Sequence, residues 1–194
     1  MLNAALIAAR VACFTLLLTG VAYPLLVTGL AQLLFSHQAG GSLVQDDRGR
    51  VAGSALIGQR FSRPAYFQPR PSAAGERGYD PTASGGSNLG PTSQKLRDRA
   101  ISDSARLKKA NPEAAAAVPA ELLTASASGL DPHLSLAGAL WQAPRVAKAR
   151  RVAPERLEAL VRSSLEGRDW GVLGEPRVNV LLLNLALDRQ FGGP

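Results

Sequence analysis

The sequence predicts an α+β protein: a single N-terminal transmembrane helix followed by one compact soluble domain with a small sheet and several helices. Three observations lead there. From Val11 to Phe35 the chain runs 25 residues without a charge; as a helix this is roughly 37 Å, enough to cross a hydrocarbon core of about 30 Å. The remainder, about 160 residues, is a normal size for one domain. Within it, turn-rich sequence with few strand-like runs gives way to several helical patterns, which marks an α+β arrangement. The expected division is a short tail at 1–10, the spanning helix at 11–35 and an α+β domain at 36–194.

Composition narrows the function classes. The 194 residues carry 22 Lys+Arg against 15 Asp+Glu, a formal charge of +7, with a mean hydropathy of +0.01. The chain is too apolar for a disordered tail and too polar for a multispanning channel. One Cys (Cys13) and two His (His37, His133) cannot build a structural zinc site, a disulfide framework or a supported Cys–His pair. Neither a metal site nor a catalytic set is expected.

The apolar segment reads as an uncleaved anchor. A signal peptide has an apolar region of about 7–15 residues and a small-x-small cleavage site, and Ser36-His37-Gln38 supplies none. Arg10 and the amino terminus favour a cytoplasmic N-tail, whereas Arg48 and Arg50 follow the other end, so charge alone leaves the orientation open. Val178 to Leu187 is about half of a spanning length and is broken by Asn179 and Asn184, so it belongs to a core. Ala12, Thr15, Thr19, Ala22 and Gly29 recur near one helical face, and small residues there allow a partner helix to approach closely. An equally weighted reading is that they are merely tolerated in an apolar span. Pro24 marks a bend or joint near Tyr23.

In the soluble part, Asp46-Asp47-Arg48-Gly49 between Ser42–Gln45 and Arg50–Gln59 predicts a hairpin. Five prolines and five glycines between Arg63 and Pro91 exclude regular secondary structure there, while Tyr66, Phe67 and Tyr79 indicate an ordered loop packed on the domain. Thr92 is placed as the cap of a helix reaching Lys109 with Leu96, Ala100 and Leu107 on its buried face, ended by Asn111-Pro112. Leu122 to Ala125 is taken as a short strand. Ser135 to Ala149 is helical but interrupted, Pro144 opening a second short helix. Pro154-Glu155 opens a helix closing at Gly167, and Asn179 caps a last one to about Arg189 that buries Leu182, Leu183 and Leu187 or their neighbours.

Nucleotide and hydrolase signatures are weak. No P-loop exists. Ser84-Gly85-Gly86-Ser87-Asn88 is glycine-rich and precedes a helix, so its amides have the character of an anion cradle, although composition alone favours an ordered run of turns. A nucleophile elbow fails because Leu89 stands where glycine is needed. Asp131-Pro132-His133 reads as a turn cap beside a structural or surface histidine rather than part of a triad. The densest basic group is Arg145, Lys148, Arg150, Arg151 and Arg156. It lacks aromatic alternation and any reader motif, so nucleic acid is not an expected partner. A solvated helix face is the plain reading, and contact with anionic lipid or an acidic partner the sharper one.

Six blocks of sequence resemble one family. They are Leu17-Leu18-Thr19-Gly20-Val21-Ala22-Tyr23-Pro24-Leu25, Gly53-Ser54-Ala55-Leu56-Ile57-Gly58-Gln59, Tyr66-Phe67-Gln68-Pro69-Arg70-Pro71-Ser72, Ala83 to Pro91, Thr124 to His133, and Gly174-Glu175-Pro176-Arg177-Val178-Asn179-Val180. In this order, over nearly the whole chain, they are similar to the C subunit of the Kdp high-affinity potassium-transporting ATPase. The resemblance implies a non-catalytic accessory subunit of a bacterial inner-membrane complex, single-pass, with a cytoplasmic N-terminus and its domain outside. Its implied partners are a channel-like potassium-selective subunit and a P-type ATPase subunit, along with membrane lipid. Potassium would be the transported ion of the complex, and no cofactor is expected to bind tightly. The family further implies a catalytic-chaperone role that raises the ATPase subunit's affinity for ATP, with Ser84, Gly85, Gly86, Ser87 and Asn88 as an ATP-binding segment. The Gln of the transporter signature to which that segment is likened is missing after Gly86. A domain outside also cannot touch cytoplasmic ATP, so an effect on ATP use fits a population shift within the complex better than direct contact. Tyr66, Phe67 and Arg70 are the expected partner contacts of the domain, and Ala12, Thr15, Thr19, Ala22 and Gly29 those of the helix.

Overall fold

The computed structural model describes residues 2–194, which divide into two compact units, 2–43 and 44–194. The first is almost wholly helical. α1 (Leu2–Leu17) passes through a π turn (Leu18–Ala22) into α2 (Tyr23–Leu34), and a short α3 (Ser36–Ala39) follows the break at Phe35. The helical rod starts at Leu2, not at Val11, because the alanine- and leucine-rich first ten residues contain no breaker. It is one helix of 33 residues, long and apolar enough to cross a membrane. The joint expected from Pro24 is the π turn just ahead of it. Proline has no N–H to give the turn before it, and the Tyr23 N–H reaches back five residues to the Leu18 carbonyl.

The second unit is α+β. β1 (Leu43–Gln45) and β2 (Val51–Ser54) form a two-stranded sheet. Between them the Asp46 N–H donates to the Arg50 carbonyl at 2.9 Å, with Gly49 at a φ of +71°, which glycine adopts without strain. The other sheet has the order β3 (His133–Leu134), β5 (Arg177–Asn179), β4 (Leu165–Glu166), with both pairings antiparallel. His133 faces Asn179 and Glu166 faces Arg177. The remaining helices are α4 (Gln94–Ala110), α5 (Leu136–Arg150), α6 (Pro154–Ser163) and α7 (Val180–Phe191). α5 packs on α6, α6 on α7, and the three-stranded sheet against α5 and α7. Their shared core includes Phe67, Leu134, Trp141, Leu157, Val178 and Leu183.

Several local expectations are corrected. Leu122 to Ala125 is not a strand: Ala120–Leu122 is a 3-10 turn, and the Thr124 N–H and hydroxyl both donate to the Ala120 carbonyl, at 3.0 and 2.9 Å, which takes the donors a sheet would need. Pro144 does not start a new helix but lies inside α5. It removes the donor for the Leu140 carbonyl, a defect of about 3 kcal/mol in an isolated helix. Burial of Trp141, Ala143, Val146 and Ala147 around it keeps the helix continuous. α6 stops at Ser163, because Leu165 and Glu166 turn away to pair with β5. α4 is capped by Ser93, whose hydroxyl accepts from the Leu96 N–H, rather than by Thr92. Leu96, Ala100 and Leu107 are only half-buried. Asn179 caps α7 as expected, its side chain accepting from the Leu182 N–H at 3.2 Å. Leu183 and Leu187 are buried there, with Leu181 in place of the exposed Leu182.

Candidate functional site

The proline-rich stretch 64–71 has no secondary structure, yet its backbone is satisfied by side chains from the helices around it. The Pro64 and Tyr66 carbonyls accept from the Arg145 guanidinium at 2.5 and 3.0 Å. The Ala65 carbonyl accepts from Arg150 Nε at 2.8 Å. Phe67 is bonded through both its N–H and its carbonyl to the Asn184 carboxamide, each at 2.9 Å. Gln68 repeats that pattern with Gln142, again at 2.9 Å for both bonds. Two primary amides thus supply the donor and acceptor that a neighbouring strand would supply, Gln142 from α5 and Asn184 from α7.

This strap changes the reading of the basic group. Arg145 and Arg150 turn inward; the Arg150 side chain is only 3% exposed, holds Asp188 at 2.6 Å and lies 4.8 Å from the centre of the Tyr66 ring. Burial pushes the Arg145 pKa down to about 10, which leaves it charged at neutral pH. Lys148 pairs with Glu113 at 2.7 Å, and the Arg156 guanidinium stacks 5.0 Å from the Phe191 ring centre. Arg145 and Arg150 are thus spent on the fold, whereas Lys148, Arg151 and Arg156 stay on the exposed side, so only part of the group is a solvated face.

The predicted contact residues of the domain sit on the same strap. Phe67 is fully buried in the core, so its ring is reached by its own domain and by no partner. Tyr66 is half-buried, its hydroxyl donating to Asp188 at 2.8 Å. Its pKa is raised, chiefly by burial and then by that bond to Asp188. Arg70 pairs with Asp131 at 3.2 Å. Tyr66 and Arg70 retain exposed surface; Phe67 does not.

The glycine-rich segment 84–88 is clasped to the segment Ser126–Gly129. The Ser84 hydroxyl and the Gly85 N–H both donate to the Ser128 carbonyl, at 3.0 and 2.8 Å. A Cβ at Gly86 would come within 2.8 Å of the Ala127 carbonyl oxygen. One at Gly129, whose φ is +68°, would come within 2.6 Å of the Gly85 oxygen and 2.7 Å of the Ala74 nitrogen. These glycines permit two backbones to touch, and they direct the Ser84 and Gly85 donors into the chain. Beside the clasp is an open cleft of about 510 Å³ lined by Arg70, Ser84, Ser128 and Asp131 among others.

Asp131 organises the turn into β3, as its sequence position suggests. One carboxylate oxygen accepts from the His133 N–H at 3.0 Å, and the other faces Arg70. Burial opposes ionisation of Asp131, but the bonds from the His133 side chain and N–H and the Arg70 charge outweigh it, so its pKa is lowered. The His133 ring lies between Asp131 at 3.5 Å and Glu166 at 3.8 Å. No nucleophile accompanies the pair among the hydrogen-bonded neighbours described. Sequence reasoning missed Gln142, Asn184 and Asp188; the one trace of them was Asn184 interrupting the apolar run from Val178 to Leu187.

On the N-terminal rod, Ala12, Thr15, Thr19, Ala22 and Gly29 are exposed within their own unit. The Thr19 hydroxyl donates back to the Thr15 carbonyl at 2.8 Å, a bond that hides a polar group in an apolar helix. Because the π turn admits an extra residue, Ala22 and Gly29 are rotated by up to about 100° from the face carrying Ala12, Thr15 and Thr19. The five do not share one straight stripe.

A family model described as KdpC: K+-transporting ATPase, c chain, matches residues 5–189. The chain belongs to the KdpC family. Relatives named potassium-transporting ATPase KdpC subunit include one from Myxococcus xanthus, 65% identical over 99% of this chain and 90% of the relative. Another, from Rhodospirillum rubrum, is 59% identical over 90% of each chain, and one from Caulobacter vibrioides is 53% identical over 92% of this chain and 88% of the relative. A KdpC chain is a subunit of the potassium-transporting ATPase rather than an enzyme by itself. The match covers residues of both the rod and the strapped domain.

Proposed function

We propose that this chain is the non-catalytic accessory subunit that assembles and stabilises an ATP-driven potassium uptake complex. It would join a channel-like potassium-selective subunit to a P-type ATPase subunit. The observation that carries this reading is the family match over residues 5–189. A single apolar helix (Leu2–Leu34) supports it as the membrane anchor. The Thr15 and Thr19 face of that anchor would lie on a helix of the potassium-selective subunit, with lipid around the rest. The domain would stand outside the inner membrane and the N-terminus inside the cytoplasm, where Arg10 favours it.

Any effect on ATP affinity would run through the assembly, a ligand-free subunit shifting the conformational populations of the ATPase subunit. Direct nucleotide contact by Ser84 to Asn88 is the competing reading. The donors of Ser84 and Gly85, already given to the Ser128 carbonyl, favour the indirect route. Three measurements test the proposal. Thr15→Leu with Thr19→Leu should lower co-purification of the other subunits severalfold, and unchanged recovery with unchanged potassium transport would remove this face. Calorimetry of the detergent-solubilised chain with ATP should give the same small heats for the natural chain and for Gly85→Ala with Gly86→Ala; saturable binding lost in the variant would favour direct contact. With Cys13 replaced by Ser, a cysteine placed at Ser87 should react with a membrane-impermeant maleimide added outside intact spheroplasts, and protection there would reverse the orientation.

A further inference from the structure

The middle of the N-terminal rod leaves one backbone acceptor without a donor. In a regular helix the Thr19 carbonyl would accept from the N–H four residues on, and in a π turn from the N–H five residues on. The first belongs to Tyr23 and is given to the Leu18 carbonyl. The second position is Pro24, which has no N–H, and Gly20 loses its ordinary donor to the same proline. The Thr19 hydroxyl is no remedy, because its proton goes back to the Thr15 carbonyl at 2.8 Å. Thr19 and Gly20 are both exposed within their unit. A Cβ built at Gly20 would meet only the tip of the Leu16 side chain, at 3.7 Å, so the peptide joining the two residues is open to an approaching group.

The acceptor lies deep in the span. Thr19 is nine positions from Arg10, the nearest charged residue, which is about 13 Å along the axis. It is 15 positions from the end of the rod at Leu34, about 22 Å. In a hydrocarbon core about 30 Å thick both headgroup layers and their water are out of reach, and a carbonyl without a donor there carries its full desolvation cost. Acyl chains have no N–H or O–H to give. A neighbouring transmembrane helix does, and hydroxyl and carboxamide side chains are the donors that such helices use on one another. A Lys or Arg at this depth would add the cost of its own charge, so the fitting donor is neutral.

We propose that the Thr19 carbonyl, bared by the π turn and Pro24, is the docking point for one neutral donor side chain, a hydroxyl or a carboxamide, on a transmembrane helix of the potassium-selective subunit. The inference rests on the accessory-subunit reading above and names the chemistry of that contact. Its test uses the full chain in lipid bilayers, labelled with carbonyl-13C threonine and 15N glycine. Thr19-Gly20 and Thr28-Gly29 are the only Thr-Gly pairs in the sequence, so solid-state NMR sees two linked carbonyl signals, and Thr28, inside the regular α2, is the reference. Accepting a hydrogen bond moves a carbonyl resonance downfield. The Thr19 signal should lie upfield of Thr28 in the chain alone and move downfield on assembly with the unlabelled subunits, while Thr28 stays. Pro24→Ala returns an N–H to the joint, so its Thr19 signal should be downfield before assembly, and recovery of the complex should fall about fivefold or more, the worth of one such bond. A Thr19 signal that does not move on assembly, or full recovery with Pro24→Ala, would overturn the docking point. So would a move in the chain alone as its ratio to lipid rises, which would make the donor a second copy. A move that survives alanine replacement, one at a time, of every hydroxyl and carboxamide residue on the partner's transmembrane helices would make the donor water and overturn it as well. Each of these results leaves the accessory reading standing, whereas failure of the unsubstituted chain to co-purify with any subunit would overturn both.

Discussion

Asn184, in the middle of α7, holds Phe67 by both of its backbone groups at 2.9 Å, across 117 residues of sequence. The contact lets an irregular segment cross the core beside a helix without stranding a polar group. Gln142 does the same for Gln68. Asn184→Leu would leave the Phe67 N–H and carbonyl buried and unpaired, so a loss of about 2–4 kcal/mol is expected. The urea midpoint of the detergent-solubilised chain checks it. A loss under about 0.5 kcal/mol would mean that water or a shifted strap satisfies both groups.

The clasp between the glycine-rich segment and Ser126–Gly129 makes a contrast within one region. Gly129→Ala combines a positive φ with backbone atoms at 2.6 and 2.7 Å from the new Cβ, and is expected to destabilise by about 2–4 kcal/mol. Gly90→Ala meets nothing within 4 Å at an ordinary φ and is expected to change stability by less than about 1 kcal/mol. Equal thermal shifts for the two variants would contradict the clasp.

Tyr79 supplies an alkaline limit. Burial pushes its pKa up to about 12, against a smaller opposing effect of the Arg60 charge, and its hydroxyl donates to the Arg70 carbonyl at 2.5 Å. The unfolded chain loses this proton near pH 10 and the folded chain near 12. The stability it contributes is therefore complete below pH 10 and is lost as pH rises from 10 through 12. Tyr79→Phe should flatten the stability profile in that window relative to the natural chain. Parallel profiles would show that the phenol is not held protonated.

Pro144 is a defect that packing tolerates. Pro144→Ala returns an N–H to the Leu140 carbonyl and is expected to stabilise by about 1–3 kcal/mol, the lower end if the ring's own packing is lost. Denaturant titration reads the change directly. A destabilised variant would show that the proline ring fills space the helix needs.

The charge-free run after Arg10, the Asp46–Gly49 turn, the absence of regular secondary structure that five prolines impose from Arg63 to Pro91, and the Asn179 cap were legible because each signal is local. Apolar length, a glycine at positive φ, a missing N–H and a side chain that reaches three residues along act over one or two turns of chain. The family was legible for the same reason, through short blocks in order. β3, β4 and β5 were not, being two or three residues long, too short to show a period of two. They exist because Val178 finds Leu134 and Leu165 on either side.

What the sequence by itself determined was the apolar rod, the α+β class and the KdpC blocks, all of which depend on composition or on neighbours along the chain. The tertiary structure alone decided where the polar groups of the domain were spent. Arg145 and Arg150 carry the marks of a surface helix yet bond a strap some 80 residues earlier, and Trp170, which by type belongs in a core, is left on the outside. Whether a side chain is solvated, buried or offered to a partner depends on which distant backbone groups lack donors. That is known only once the chain has closed on itself.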